Sequence, residues 1–185
     1  CYTILQTKAP LVPLFENVTA IDEIITPSAD GMPSCEYDLY IPLMSLPLIF
    51  NTNLNNIPAT TPYLKAPETL RAKWQSDLST TQFKVGIVWA GNPEHNNDRN
   101  RSCPIEQFLS LVDLPNIRIY SLQMGKAKDQ LEQTRQVIDL TSEIRSFADT
   151  AAIVANLDLV ITVDTSIVHL AGALDKKVWT LLPTN

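Results

Sequence analysis

The sequence predicts an α/β fold built on a parallel sheet, and three observations carry that prediction. From residue 84 onward, apolar runs of four to seven residues alternate with segments of helical period, the pattern of βαβ units. The later runs QVIDL, LDLVITV and KVWTLL are nearly continuous in apolar character, as strands covered on both faces are. The segments between them carry helix punctuation of their own.

The first half is the less regular part. YTILQT (2–7) and IDEIIT (21–26) read as strands, with Leu11, Leu14, Phe15 and Val18 forming one face of a short helix between them. YDLYIPL (37–43) is compatible with a third strand. NTNLNNIPATTPYLKAP (51–67) is rich in Asn, Thr and Pro, which suits a linker, and Leu70, Trp74 and Leu78 then mark a helix. In the second half, strands are expected at 85–90, 117–123, 136–140, 157–163 and 177–182. Pro104 and Glu106 suit a first helical turn, with Ile105, Phe108, Leu109 and Val112 on its buried face. Ser146 and Asp149 form a variant capping box before a helix whose stripe is Phe147, Ala151, Val154 and Ala155. The boundaries predicted are 1–66 for an N-terminal part plus linker and 67–185 for a second domain.

Composition narrows the classes. With 45% hydrophobic and 18% charged residues, the 185-residue chain can bury a core and is globular rather than disordered. A formal net charge of -6 argues against nucleic acid or an anionic membrane as partner, so any anion site must be local. Cys1, Cys35 and Cys103 form no CxxC pair, which speaks against zinc and for reduced thiols in the cytoplasm, although one disulfide is possible. Apolar runs such as IPLMSLPLIF are too short and too interrupted by proline to span a bilayer. The chain opens on Cys1 and stops straight after an apparent strand, so it reads as a fragment.

VITVDTSIVHLAGAL (160–174) changes from an apolar β-branched run to a small-residue helix, with Asp164, Thr165, Ser166 and His169 at the junction. Ligands of parallel α/β sheets bind at the carboxyl rim of the strands, and the first helical turn offers free N–H groups to an anion. Ile167, Leu170, Ala171 and Leu174 would face the core, leaving His169 on the other side. The plainer reading makes Thr165 or Asp164 a helix cap and His169 a surface residue. Two further loops reach the same rim. AGNPEHNNDRNRSCP (90–104) is long for a βα connection and holds Asn92, His95, Arg99 and Arg101, arginine being suited to bidentate phosphate contact. SLQMGKAKD (121–129) offers Gln123, able to hydrogen-bond a base or sugar, and Gly125, which permits close backbone approach; Lys126 and Lys128 read as solvated charges.

VGIVWAGNPEHNNDRNRSCP, then IYSLQMG, then SFADTAAIVANLDLVITVDTSIVHLAGALDKKVWTLLP together resemble the C-terminal nucleotide-sugar-binding domain of heptosyltransferase-like glycosyltransferases of family 9. The likeness is to bacterial versions attached to tetratricopeptide repeats. YDLYIPLMSLPLIFNTNLNNIP resembles the end of their N-terminal domain. The resemblance implies a GT-B-like architecture of two Rossmann-like parallel-sheet domains, the N-terminal one truncated here. It implies a glycosyltransferase that moves a sugar from a nucleoside-diphosphate sugar to a glycan, lipid-linked or protein acceptor, inverting and metal-independent, with no cofactor. Donor-binding residues would be Gly91, Asn92, Arg101, Gln123, Asp164, Thr165, Ser166 and His169, with Arg101 where these enzymes often carry a phosphate-binding lysine. The general base would lie upstream of residue 1. Competing readings are a non-catalytic glycan- or partner-binding domain and a sugar-nucleotide epimerase. A dinucleotide oxidoreductase is disfavoured because no GxGxxG follows any strand.

Overall fold

The computed structural model describes residues 1–134 and 136–183; the last two residues of the KVWTLLPTN segment lie outside them. Five parallel strands form the main sheet: β3 (Phe83–Val88), β4 (Ile117–Ser121), β5 (Val137–Asp139), β6 (Leu159–Val163) and β7 (Val178–Leu181). Their order is β5-β4-β3-β6-β7, so the chain starts in the middle, builds outward to one edge, then crosses back. All five strands expected in the second half are present; β6 ends at its expected limit and the other four end one or two residues short of theirs. Trp179, on the outer strand β7, is 61% exposed.

Period-2 alternation along β3 divides the core. Val85, Ile87 and Trp89 face one side with Ile105 and Phe108, while Val88 faces the other with Trp74, Leu78, Ala151, Val154 and Ile167. The second side is covered by α3 (Glu68–Asp77), α6 (Phe147–Asn156) and α7 (Ser166–Ala173). The first is covered by the short α5 (Glu106–Leu109), whose Phe108 is buried. Gly86 lies in β3 against this packing: a Cβ there would stand 2.5 Å from Leu157 Cδ1 and 3.2 Å from Leu122 Cδ1. The capping box is present, with Ser146 Oγ accepting from the Ala148 amide and Asp149 Oδ2 accepting from the Ser146 amide at 3.0 Å.

The first half forms a separate pair of parallel strands, β1 (Ile4–Gln6) and β2 (Glu23–Ile25). Between them α1 (Val12–Phe15) inserts Leu14 into the core cluster shared by α3 and α6. The third strand considered at 37–43 does not form. Pro42 removes a ladder donor, and Leu39 is 92% exposed and has no sheet edge to join, so the segment runs irregularly into a 3-10 turn and α2 (Leu46–Ile49). The linker is irregular as expected and is tied to the second half where the Tyr63 and Leu64 amides both donate to Ala173 O at 3.1 Å. All three cysteines are free thiols. Among the described residues no helix is long and apolar enough to cross a membrane.

Candidate functional site

Strand order reverses at β3, and the crevice outside the carboxyl ends of β3 and β6 is where open parallel sheets bind ligands. A cavity of about 980 Å³ opens there. Its walls come from all three loops singled out in the sequence, from the start of α6, and from Pro10 of the first half. Leu122, Met124, Ile144, Phe147 and Ile167 supply apolar surface, and Arg99, Arg101, Lys126 and Arg145 supply positive charge. Asp98 is the single acid among the lining residues. A chain of net charge -6 therefore gathers a cationic excess at one place.

The loop after β3 is held by its own side chains. Asn92 Oδ1 accepts from the Glu94 amide, and His95 Nδ1 accepts from the Asn97 amide, leading into the single helical turn α4 (Asp98–Arg101). The Gly91 amide donates to Ser102 Oγ at 2.8 Å, and that hydroxyl donates to Asp98 Oδ1 at 2.7 Å. Arg101 folds back over Gly91, so closely that a Cβ on Gly91 would stand 2.9 Å from Arg101 Nη2 and 2.8 Å from Asp98 Oδ1. Arg101 Nε is buried without a hydrogen-bond partner, and no ion pair forms at Arg101 among the described residues. An unpartnered, half-buried guanidinium on a cavity wall is a seat for an anion.

Across the crevice, Thr165 caps α7. Its Oγ1 accepts from the Ile167 amide at 3.3 Å and stands 3.1 Å from Thr162 Oγ1. Thr165, Ser166 and Ile167 line the cavity, presenting the positive end of α7. Asp164 and His169 are exposed and do not line it. His169 occupies the face opposite the buried Ile167, Leu170 and Ala171, as the helical spacing predicts.

Gln123 reaches the cavity but is not free to read a base or a sugar. It is 2% exposed, and its amide is saturated: Oε1 accepts from the Trp89 and Ala90 amides at 3.0 and 2.8 Å, while Nε2 donates to Ala90 O and Met124 O at 3.1 and 2.8 Å. The two lysines of the same loop part company. Lys128 pairs with Asp139 at 2.9 Å, whereas Lys126 lines the cavity. Burial works against ionisation of Asp139, but hydrogen bonds from Lys128 and Thr141 outweigh it and hold the carboxyl below its ordinary range. Two further wall residues are Arg145, which the sequence reading did not name, and Phe147, which it named only as part of the α6 stripe; the signal for both was the capping box beside them, which marks a helix N-terminus at the same rim.

Residues 123–183 match the model of glycosyltransferase family 9 (heptosyltransferase). The matched stretch is about a third of the chain and contains two of the three cavity loops. Among solved structures, E. coli ADP-heptose LPS heptosyltransferase II is similar over 98% of this chain and 75% of its own, at 14% identity and a TM-score of 0.63. E. coli heptosyltransferase WaaC with ADP is similar over 97% of this chain and 60% of its own, at 16% identity and a TM-score of 0.46. The same enzyme with ADP-2-deoxy-2-fluoro heptose covers 74% and 44%, at 19% identity and a TM-score of 0.45. No curated protein sequence matches the chain significantly. The first of these likenesses establishes the fold: α/β with a parallel sheet, as in a heptosyltransferase of GT-B architecture.

Proposed function

We propose that the cavity binds a nucleoside-diphosphate sugar and that the chain is the donor-holding part of a glycosyltransferase, with residues 67–185 forming the donor domain. The observation that carries this is the cationic excess at the β3/β6 crevice of an acidic protein, centred on an arginine whose buried Nε has no hydrogen-bond partner among the described residues. The family 9 match and the heptosyltransferase fold support the same reading. The diphosphate would lie between the Arg101 guanidinium and the first-turn amides at Thr165 and Ser166, with Gly91 and Asn92 beneath it. The nucleoside would extend along Leu122, Met124 and Phe147, beside Lys126 and Arg145.

In the proposed reaction an acceptor hydroxyl oxygen forms a bond to the anomeric carbon as the bond from that carbon to the diphosphate oxygen breaks, with inversion. The acceptor proton passes to a general base, which the family resemblance puts upstream of residue 1. This chain's part is to hold the donor and to stabilise the charge growing on the departing diphosphate, by fixed guanidinium and amide hydrogens and without a metal ion. The acceptor would be a glycan, lipid-linked or protein hydroxyl, and the setting cytoplasmic, in a protein carrying tetratricopeptide repeats.

Titration calorimetry with ADP-, UDP- and GDP-sugars tests the donor class. Arg101→Ala should weaken the preferred nucleotide by about 1.5–3 kcal/mol, the range of a hydrogen bond to a charged group. Unchanged affinity in that variant removes Arg101 from the site. Nucleotide release that depends on an added acceptor separates transfer from epimerisation.

A further inference from the structure

Beyond Val88, β3 and β4 diverge. The last backbone rung between their exits is the Leu122 amide donating to Ile87 O at 3.0 Å. Trp89, which is buried, and Ala90, which is half-buried, would be left with unpaired backbone groups, which is costly where water cannot reach. The carboxamide of Gln123 fills that gap as an extra peptide group would, taking both N–H groups of Trp89 and Ala90 and giving one N–H to Ala90 O and the other to Met124 O. Few side chains can do this, because it needs two acceptor lone pairs and two donor hydrogens on one planar group. Trp89 O in turn accepts from the Cys103 amide at 2.9 Å, so the two ends of the long loop are pinned to the same anchored dipeptide. From Ala90 the chain passes directly to Gly91, on which Arg101 packs.

We propose that Gln123 is a positioning residue: by fixing Trp89 and Ala90 it sets the loop from Gly91 to Ser102 and so aims Arg101 into the cavity. Gln123 itself touches no ligand; its effect on an anion passes through Arg101. This rests on reading the cavity as an anion site, with ADP as the probe. The side chain is amide rather than carboxylate for a reason. A glutamate there could accept from the two amides but would face Ala90 O and Met124 O with negative charge.

Two measurements on the 185-residue chain test this. The first is hydrogen exchange of the amides at residues 89–91 in the wild type, Gln123→Leu and Gln123→Glu, with no ligand present. Gln123→Leu should exchange faster there; Gln123→Glu keeps the side-chain volume but sets a carboxylate against Ala90 O and Met124 O, which drives the side chain off the dipeptide, so it should also exchange faster and serves if the leucine variant does not fold. The second is ADP affinity of each variant with Arg101 intact and with Arg101→Ala. Gln123→Leu or Gln123→Glu should weaken ADP roughly tenfold when Arg101 is present, as a misplaced binding group does. In the Arg101→Ala background the same change should matter less than about twofold, the additivity limit for independent sites. A general loss of packing would weaken ADP equally in both backgrounds, and that result overturns the proposal. Wild-type protein that binds no ADP overturns the donor-site reading instead. Exchange at 89–91 then decides on Gln123 alone: acceleration supports its anchoring role and unchanged rates overturn it.

Discussion

Adding one methyl group at Gly91 should separate binding from folding. The backbone of Gly91 is outside the left-handed region, so alanine fits it without strain and even reduces the freedom of the unfolded chain. The new Cβ, however, would stand 2.9 Å from Arg101 Nη2, 3.2 Å from its Nε and 2.8 Å from Asp98 Oδ1. Ordinary contact requires about 3.5 Å, so the guanidinium must retreat by about 0.6 Å and the carboxylate by about 0.7 Å. Both are the tips of flexible side chains, but Asp98 Oδ1 also accepts from the Ser102 hydroxyl, so the shift should cost about 0.5–1.5 kcal/mol, the worth of one hydrogen bond. A charge-assisted contact of about 2.8 Å stretched by the same amount leaves hydrogen-bond range. Partial relaxation of the arginine restores some of it, giving an expected loss of about 1 kcal/mol in ADP affinity, or roughly fivefold. The assay is calorimetric titration with ADP beside a thermal unfolding curve. Unchanged ADP affinity would refute the placement of Arg101, and a large drop in melting temperature would refute the claim that only side-chain tips are displaced.

Other outcomes follow from the packing and the charges. Gly86→Ala should destabilise the fold by about 1–3 kcal/mol in denaturant unfolding, because its Cβ would press on Leu157 and Leu122 inside the core. Ser146→Ala should cost about 1 kcal/mol through loss of the capping box, measured the same way. The Asp139 carboxyl is held below its ordinary value in the folded protein, so its contribution is present above the unfolded-state value of 3.8 and is lost as pH falls through the lower folded value. Asp139→Asn should therefore flatten the acid limb of stability against pH, and an unaltered limb would show that the Lys128 pair contributes nothing. His169→Ala should leave the unfolding midpoint unchanged, since the side chain lies off the buried stripe of α7.

How far such features can be read from sequence depends on whether they are local. The strands at Leu159–Val163 and Phe83–Val88 are legible because burial on both faces demands a continuous apolar run. The capping box at Ser146 is legible because its partner is three residues away. YDLYIPL has the alternation of a strand but no neighbouring edge, and pairing is a property of the sheet rather than the segment. The two lysines of SLQMGKAKD look alike in sequence; only the position of Asp139 on the next strand tells the paired Lys128 from the cavity-lining Lys126. Gln123 was legible as a rim residue but not as an anchor, because its partners at Trp89 and Ala90 are more than thirty residues upstream. For Asp164 and His169, adjacency to the junction did not amount to lining the cavity: both are exposed and neither is part of its walls.

In the proposed site a diphosphate lies between the guanidinium of Arg101 and the first turn of α7. A crystal structure of the chain grown with ADP tests it most directly. Phosphate oxygens are expected within hydrogen-bond distance of Arg101 and of the Thr165 or Ser166 amides. Nucleotide bound anywhere else, or an empty crevice at millimolar ADP, would contradict it.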